Sequence, residues 1–376
     1  MALLPLVDPN EFVGLEGITH LCSGGESPWL KRQRTAYDLF SSLKSASYSG
    51  RNAIYEHGDS CRRKIGQLWK APANRIGFLP SAAEGMNYLA RGIDWQPGDN
   101  IVTTNLEFPS VAYAWKNLPE LGVEIRFVPH QNWIVEETDL LAAVDDRTRL
   151  VAVSQVSFYT GQNLDIPQLA NGLKNHNALL AIDTTHASGV IQVDATAADL
   201  CVSSSYKWLL ATHGTAPCYL SEKAEECTRA TSFGWRNLAV WPNQGAERVA
   251  EVKEHPMPQK LEAGNPAMVV ILFLEQALDL ILETGIERIE NHARDLSDEV
   301  SQGLAALDVN VITPAARARR SGNTCFLLED APALVNRLAE HQVYVWGEYG
   351  RVRVSGHLYN GSADIDRLCD ALKESL

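Results

Sequence analysis

Short apolar runs return at intervals along the first two thirds of the chain, and this rhythm limits the fold more than any other feature. Arg75-Ile-Gly-Phe-Leu-Pro80 holds the first; Ile101–Thr104, Glu124–Val128, Leu150–Val153, Leu179–Ile182, Leu200–Val202 and Ala216–Leu220 follow. Segments with helical spacing separate most of them, near 55–70, at Ser110–Leu118 and at Ile166–Asn175. Strands alternating with helices predict an α/β fold, with a mainly parallel sheet covered on both faces. Ligands in such sheets sit beyond the carboxyl ends of the strands. The residues just after the runs are therefore the ones to inspect: Ser81, Glu107, Phe108, Asp183 and Ser204 to Lys207.

Beyond Leu220 the texture changes. Residues 232–260 hold Gly234, Trp235, Trp241, Pro242, Gly245, Pro256 and Pro258, which reads as a long loop-rich excursion. Helices are expected near 267–284 and 285–306. A strand (Thr324–Leu328), a helix (331–341), strands Val343–Trp346 and Val352–Val354, and a helix (362–374) complete the chain. With 376 residues there is room for two domains. We expect a large domain over 15–280 and a small α+β domain over 281–376, which residues 1–14 could join.

Composition narrows the function. A hydrophobic content of 45% excludes a disordered chain. A net charge of −13 argues against a nucleic-acid partner, which requires clustered Lys and Arg. The seven cysteines include no C-x-x-C pair, a pattern suited to a reducing cytoplasm. The first residues lack a basic n-region, and the longest apolar run, Met268 to Leu274, is too short to span a bilayer. A cytoplasmic protein without a membrane partner is the expectation.

Two strand ends carry the chemistry. Ala181-Ile-Asp-Thr-Thr-His186 ends an apolar run on an aspartate, and Leu200-Cys-Val-Ser-Ser-Ser-Tyr-Lys-Trp208 ends one on Ser-x-x-Lys. Pyridoxal 5'-phosphate chemistry needs such a pair. The lysine holds the aldehyde as a Schiff base, and the acid keeps the pyridine nitrogen protonated so that the ring accepts electrons. Upstream, Ser81-Ala-Ala-Glu84 matches the S-x-x-E capping box. A strand feeding a capped helix there presents free N–H groups to an anion.

Phe78-Leu-Pro-Ser-Ala-Ala-Glu-Gly-Met-Asn87, Glu107-Phe-Pro-Ser110, Asp183-Thr-Thr-His186 and Ser204-Ser-Tyr-Lys207 occur in that order, followed by Leu261-Glu-Ala-Gly-Asn-Pro266 and Arg351-Val-Arg-Val-Ser355. Over nearly its whole length the chain resembles the class V aminotransferases among the fold-type I pyridoxal phosphate enzymes, near the cysteine desulfurase and isopenicillin N epimerase branch. The resemblance implies Lys207 as the Schiff-base lysine, Asp183 as the partner of the pyridine nitrogen and His186 beside the phenolic oxygen. It implies Phe108 as the ring-stacking residue, and Ser204 and Tyr206 as phosphate ligands. The family usually has Thr where this chain has Ala82 or Ala83, so the phosphate would rely on the backbone N–H groups of both. Phe158 replaces an Asn common in the family. Arg353 aligns with the arginine that clamps the substrate carboxylate, whereas Arg351 is expected to point the other way. Asn265 aligns with a residue that reaches the partner's phosphate, which implies a homodimer.

The resemblance implies transamination of an amino acid or amine, with Lys207 moving the proton. β-Elimination (including C–S lysis) and epimerisation use the same apparatus and remain open. Cysteine desulfuration is not expected. It needs a loop thiol shortly before the carboxylate-binding arginine, and His341–Arg351 has no cysteine. Cys325 and Cys369 read as structural.

Overall fold

A computed structural model describes residues 2–238 and 253–376; Trp241, Pro242 and Gly245 of the expected loop-rich excursion lie outside them. The seven apolar runs become strands β1 (Ile76–Leu79), β2 (Asn100–Thr104), β3 (Glu124–Val128), β4 (Thr148–Ser154), β5 (Leu179–Asp183), β6 (Leu200–Val202) and β7 (Ala216–Leu220). They form one sheet in the order β1-β7-β6-β5-β4-β2-β3, parallel except for β7, which runs antiparallel to both neighbours. Period-2 alternation sends successive side chains to opposite faces. Val151, Val153, Leu180 and Ile182 accordingly enter one core. Leu150, Ala152, Leu179 and Ala181 enter another on the reverse face. This two-sided burial is why β4 and β5 read as nearly unbroken apolar runs, whereas edge strand β3, half exposed, carries Glu124 and Arg126.

Helix α1 (Ala82–Gly92) covers the second face with Met86 and Leu89. Helices Ser47–Leu68, Ile166–Leu173 and Met268–Thr284 cover the first. A third core lies under an antiparallel sheet of β8 (Asn323–Leu327), β9 (Trp346–Glu348) and β10 (Arg351–Ser355), in the order β9-β10-β8. Helix Ile286–Ala305 serves two cores, Ile289 and Ala293 packing into the first and Leu296 and Val300 into the third. Residues near the start of the chain also pack against this third unit. Thr19–His20 pairs in parallel with Val343–Tyr344, and Leu3 N donates to Ser362 Oγ at 2.7 Å.

Three expectations fail locally. The helix expected at Ser110–Leu118 shrinks to Pro109–Ala112, followed by turns and a 3₁₀ turn at Leu118–Leu121. Pro119 has no N–H to continue an α-helix, and Gly122 at φ 79° ends the turn. Helix Arg32–Ser45, not foreseen, precedes a second helix that starts at Ser47 rather than near 55. Only Gln33 and Ala36 of the first are buried, so its sequence carries almost no apolar period. The expected strand Val343–Trp346 divides between two sheets.

Candidate active site

Asp183 ends β5, and its backbone lies in register with Ser154 of β4 and Val202 of β6. The chain beyond β6 therefore passes directly beside it. Thr184 N donates to Val202 O at 2.8 Å and Ser204 N to Thr185 Oγ1 at 3.0 Å, which ties the two loops together. Asp183 is buried, and its Oδ1 accepts from Thr185 N at 2.7 Å. Burial raises its carboxyl above the ordinary range, while the Thr185 bonds and the charge of Lys207 pull it back.

Lys207 is also buried, and no carboxylate among the described residues pairs with its amine. Burial, reinforced by the charge of Arg353, brings its pKa down to about 8. The neutral amine is the nucleophile. In cofactor-depleted protein, the rate at which added pyridoxal phosphate is captured should therefore rise with pH through about 8, not near the 10.5 of a free lysine. Stopped-flow growth of the visible band across that range measures it; a midpoint near that of a free lysine contradicts the assigned environment.

His186 fixes the direction of the hydrogen bonds around this amine. Its Nδ1 faces two N–H donors, Asn323 Nδ2 at 3.1 Å and Trp208 Nε1 at 3.4 Å. Burial keeps the ring well below its usual pKa, hence neutral. A neutral imidazole whose Nδ1 accepts must carry its proton on Nε2. Nε2 lies 3.2 Å from Lys207 Nζ, so His186 donates to the lone pair of the neutral amine. The amide of Asn323 is held in turn, because its Oδ1 accepts from Ser355 Oγ at 2.8 Å.

Around these groups lies a cavity of ≈ 130 Å³. Ala82, Ala83, Ser204, Tyr206, Phe108 and Phe158 are among the residues that line it. Ser81 precedes α1 without forming the expected capping box: its side chain caps nothing, and Glu84 pairs with Arg91 at 2.9 Å instead. An uncapped helix end leaves first-turn N–H groups open to an anion, so the departure favours a ligand there. Phe108 remains 38% exposed, with Phe158 edge-on to it at 5.1 Å and Lys207 Nζ 5.3 Å from its ring centroid. A large apolar face left open inside a cavity offers a stacking surface. Amine, acid, ring donor, open aromatic face and anion-binding helix end thus fit pyridoxal phosphate.

Arg353 is buried near this cavity, its Nη1 donating to Phe158 O at 3.1 Å. Arg351 does not point the other way. The two are separated by two positions on β10, and a period of two places them on one face. Both guanidinium groups lie over the Trp346 ring, at 4.5 and 4.8 Å from its centroid. Asn265 stands outside the cavity of its own chain, where its Oδ1 accepts from Tyr55 Oη at 3.0 Å.

The structure also supplies the partners of Glu107, which follows the second run in the sequence, and of the loop around Cys22. Glu107 accepts from Ser154 N at 2.7 Å and from Ser154 Oγ at 2.5 Å, which anchors the loop that bears Phe108 to the end of β4. Its carboxyl is raised to about 7, chiefly by burial. Cys22 sits near Arg353 in the loop whose Ser27 N donates to Tyr206 O at 3.3 Å. Its Gly/Ser-rich sequence reads either as an ordinary connection or as a loop over the site, and the bond from Ser27 to the residue before Lys207 favours the second. Burial raises the Cys22 thiol pKa, which makes it a poor nucleophile.

The sequence pattern of the family Aminotransferase class-V matches residues 30–368. The Uncharacterized aminotransferase C777.03c of Schizosaccharomyces pombe is 25% identical over 317 residues, covering 81% of this chain and 78% of that protein. A Probable cysteine desulfurase of Methanothermobacter thermautotrophicus is 26% identical over 344 residues, covering 83% and 82%. Among solved structures, the apo cysteine desulfurase of Thermococcus onnurineus NA1 superposes with a TM-score of 0.89 over 99% of both chains at 20% identity, a likeness of fold. With the strand order, the buried lysine–aspartate site and a pattern spanning most of its length, the chain belongs to the class V aminotransferases, fold-type I enzymes that use pyridoxal 5'-phosphate.

Proposed function

We propose that this enzyme is an aminotransferase acting on an amino acid or amine, with Lys207 as its proton carrier. The observation that carries this reading is the state of that amine: buried, unpaired with any carboxylate among the described residues, and held by a donor from His186. Such an amine can take a proton and return it near neutral pH. When bound, the cofactor supplies an electron sink for the substrate Cα. Asp183 would hold the ring nitrogen protonated, and Phe108 would fix the ring plane. The N–H groups of Ala82 and Ala83, with Ser204 and Tyr206, would hold the phosphate. His186 would present its Nε2–H to the phenolic oxygen. Arg353 would take the substrate carboxylate in a bidentate grip.

Desulfuration fits less well. Strands β9 and β10 are joined through Tyr349 and Gly350 in a tight turn, which leaves no loop to carry a thiol. Cys325 is buried on β8, and Cys369 lies on helix Ser362–Ser375. Elimination and epimerisation share the site's parts and differ in the proton's route. A homodimer would bring Asn265 of one subunit to the phosphate of the other. The seven cysteines, all unpaired, suit a cytoplasmic setting. No helix among the described residues is long and apolar enough to cross a membrane.

Incubating the purified protein with a panel of amino acids tests the reading. We expect a 2-oxo acid together with the aminated cofactor. Pyruvate released with ammonia or a thiol would replace transamination with elimination, and inversion without a keto acid would replace it with epimerisation.

A further inference from the structure

Arg351 is fully buried, yet its Nε, Nη1 and Nη2 make no well-formed hydrogen bond; the polar groups beside its guanidinium are the Cys325 thiol and the Tyr159 hydroxyl. Arg353 leaves its Nε unpartnered as well. No carboxylate among the described residues pairs with either, and the charge of Arg351 acts against that of Arg353. Three rings surround the Arg351 guanidinium, with centroids at 4.2 Å (Tyr159), 4.5 Å (Trp346) and 5.1 Å (Phe158). Ring faces offset a positive charge, but with only a thiol and a phenol nearby they leave most of five N–H donors without an acceptor. Buried donors without acceptors are costly, and two like charges side by side add to that cost. An anion between the rings would satisfy both.

The position of this pair connects it to the cavity. Phe158 links the two: its ring meets Phe108 at the cavity and also lies against the Arg351 guanidinium, and its carbonyl accepts from Arg353. Tyr159 and Trp346 are each partly exposed, so the enclosure has an outer side through which a ligand could enter.

We propose that Arg351 receives a second anionic group on the substrate, so that the site selects dicarboxylic amino acids, with the α-carboxylate on Arg353 and the side-chain carboxylate on Arg351. This rests on the aminotransferase reading above and names its substrate class. Asparagine- or glutamine-like substrates fill the same space but bring no charge to the unpaired guanidinium.

Glutarate and butyrate test it, because both lack an amine and stay unreacted. Each is titrated calorimetrically into the purified full-length protein, whose visible band is recorded in the same sample. One added charge-assisted pair should make glutarate bind at least about tenfold more tightly than butyrate. Arg351→Met should bring that ratio close to one, and Arg353→Met should weaken both ligands. Arg351→Lys is the second variant should the first not fold; it keeps the charge, loses the planar fork and should give an intermediate ratio. Equal wild-type affinities, or a ratio unchanged in the Arg351 variants, would reduce Arg351 to a stacked packing element and overturn the proposal. A colourless protein that still prefers glutarate refutes the cofactor reading and leaves the arginine pair standing; a coloured protein indifferent to the second carboxylate does the reverse.

Discussion

Replacing Lys207 with alanine is expected to remove the visible absorption band of the purified enzyme and to lower turnover by about three orders of magnitude or more, since the nucleophile and the proton carrier are lost together. The fold should survive. Lys207 makes no ion pair among the described residues, and the side chains packed around it come from elements held by their own cores. The loss should therefore be specific. Cofactor would still bind reversibly through the open end of α1 and the Phe108 face, and would absorb as a free aldehyde. Spectra before and after dialysis separate the two states. A variant that kept its band through dialysis would mean that another amine holds the cofactor and would remove Lys207 from the centre of the site.

The second large effect concerns charge without shape. Asparagine at position 183 is isosteric, and its Oδ1 can still accept from Thr185 N, the bond that now orients the carboxylate. The backbone register of Asp183 with Ser154 and Val202 is untouched. What disappears is the negative charge facing the cavity. Removing one oriented electrostatic group from a desolvated site typically costs about 10²–10³ in kcat. Asp183→Asn should fall in that range while retaining cofactor through Lys207. Steady-state kcat alongside the visible spectrum checks it. A loss below about threefold would show that the ring nitrogen does not depend on this residue.

Much of this site is legible in the order of the residues. Asp183 and Lys207 each follow a short apolar run, and a parallel sheet puts strand ends at one edge. Ser81, Ala82 and Ala83 follow β1 in the same way, as Phe108 follows β2 by a few residues. What the sequence conceals depends on segments far apart in the chain. Asn323, which sets the tautomer of His186, lies 137 residues away from it. The loop around Cys22 reaches the Lys207 segment from the start of the chain, where its Gly/Ser-rich sequence reads as an ordinary connection as well as a cover over the site. The insertion of antiparallel β7 between β1 and β6 leaves no mark on its own residues, since Ala216–Leu220 is as apolar as a parallel strand. Arg351 shows a different failure: the period of two already placed it with Arg353, but its burial among three rings needed Phe158 and Tyr159 from another unit.

The amino-acid order thus determined which chemical groups stand at the ends of which strands, because strand formation depends on local apolar patterning and residue identity is covalent. Only the tertiary structure decided their protonation and hydrogen-bond direction. A Lys207 pKa lowered to about 8, a neutral His186 donating through Nε2, and a raised Asp183 all follow from burial and from neighbours contributed by distant segments. A pKa measures the free energy of a charge in its surroundings, and those surroundings exist only once the chain has closed around them.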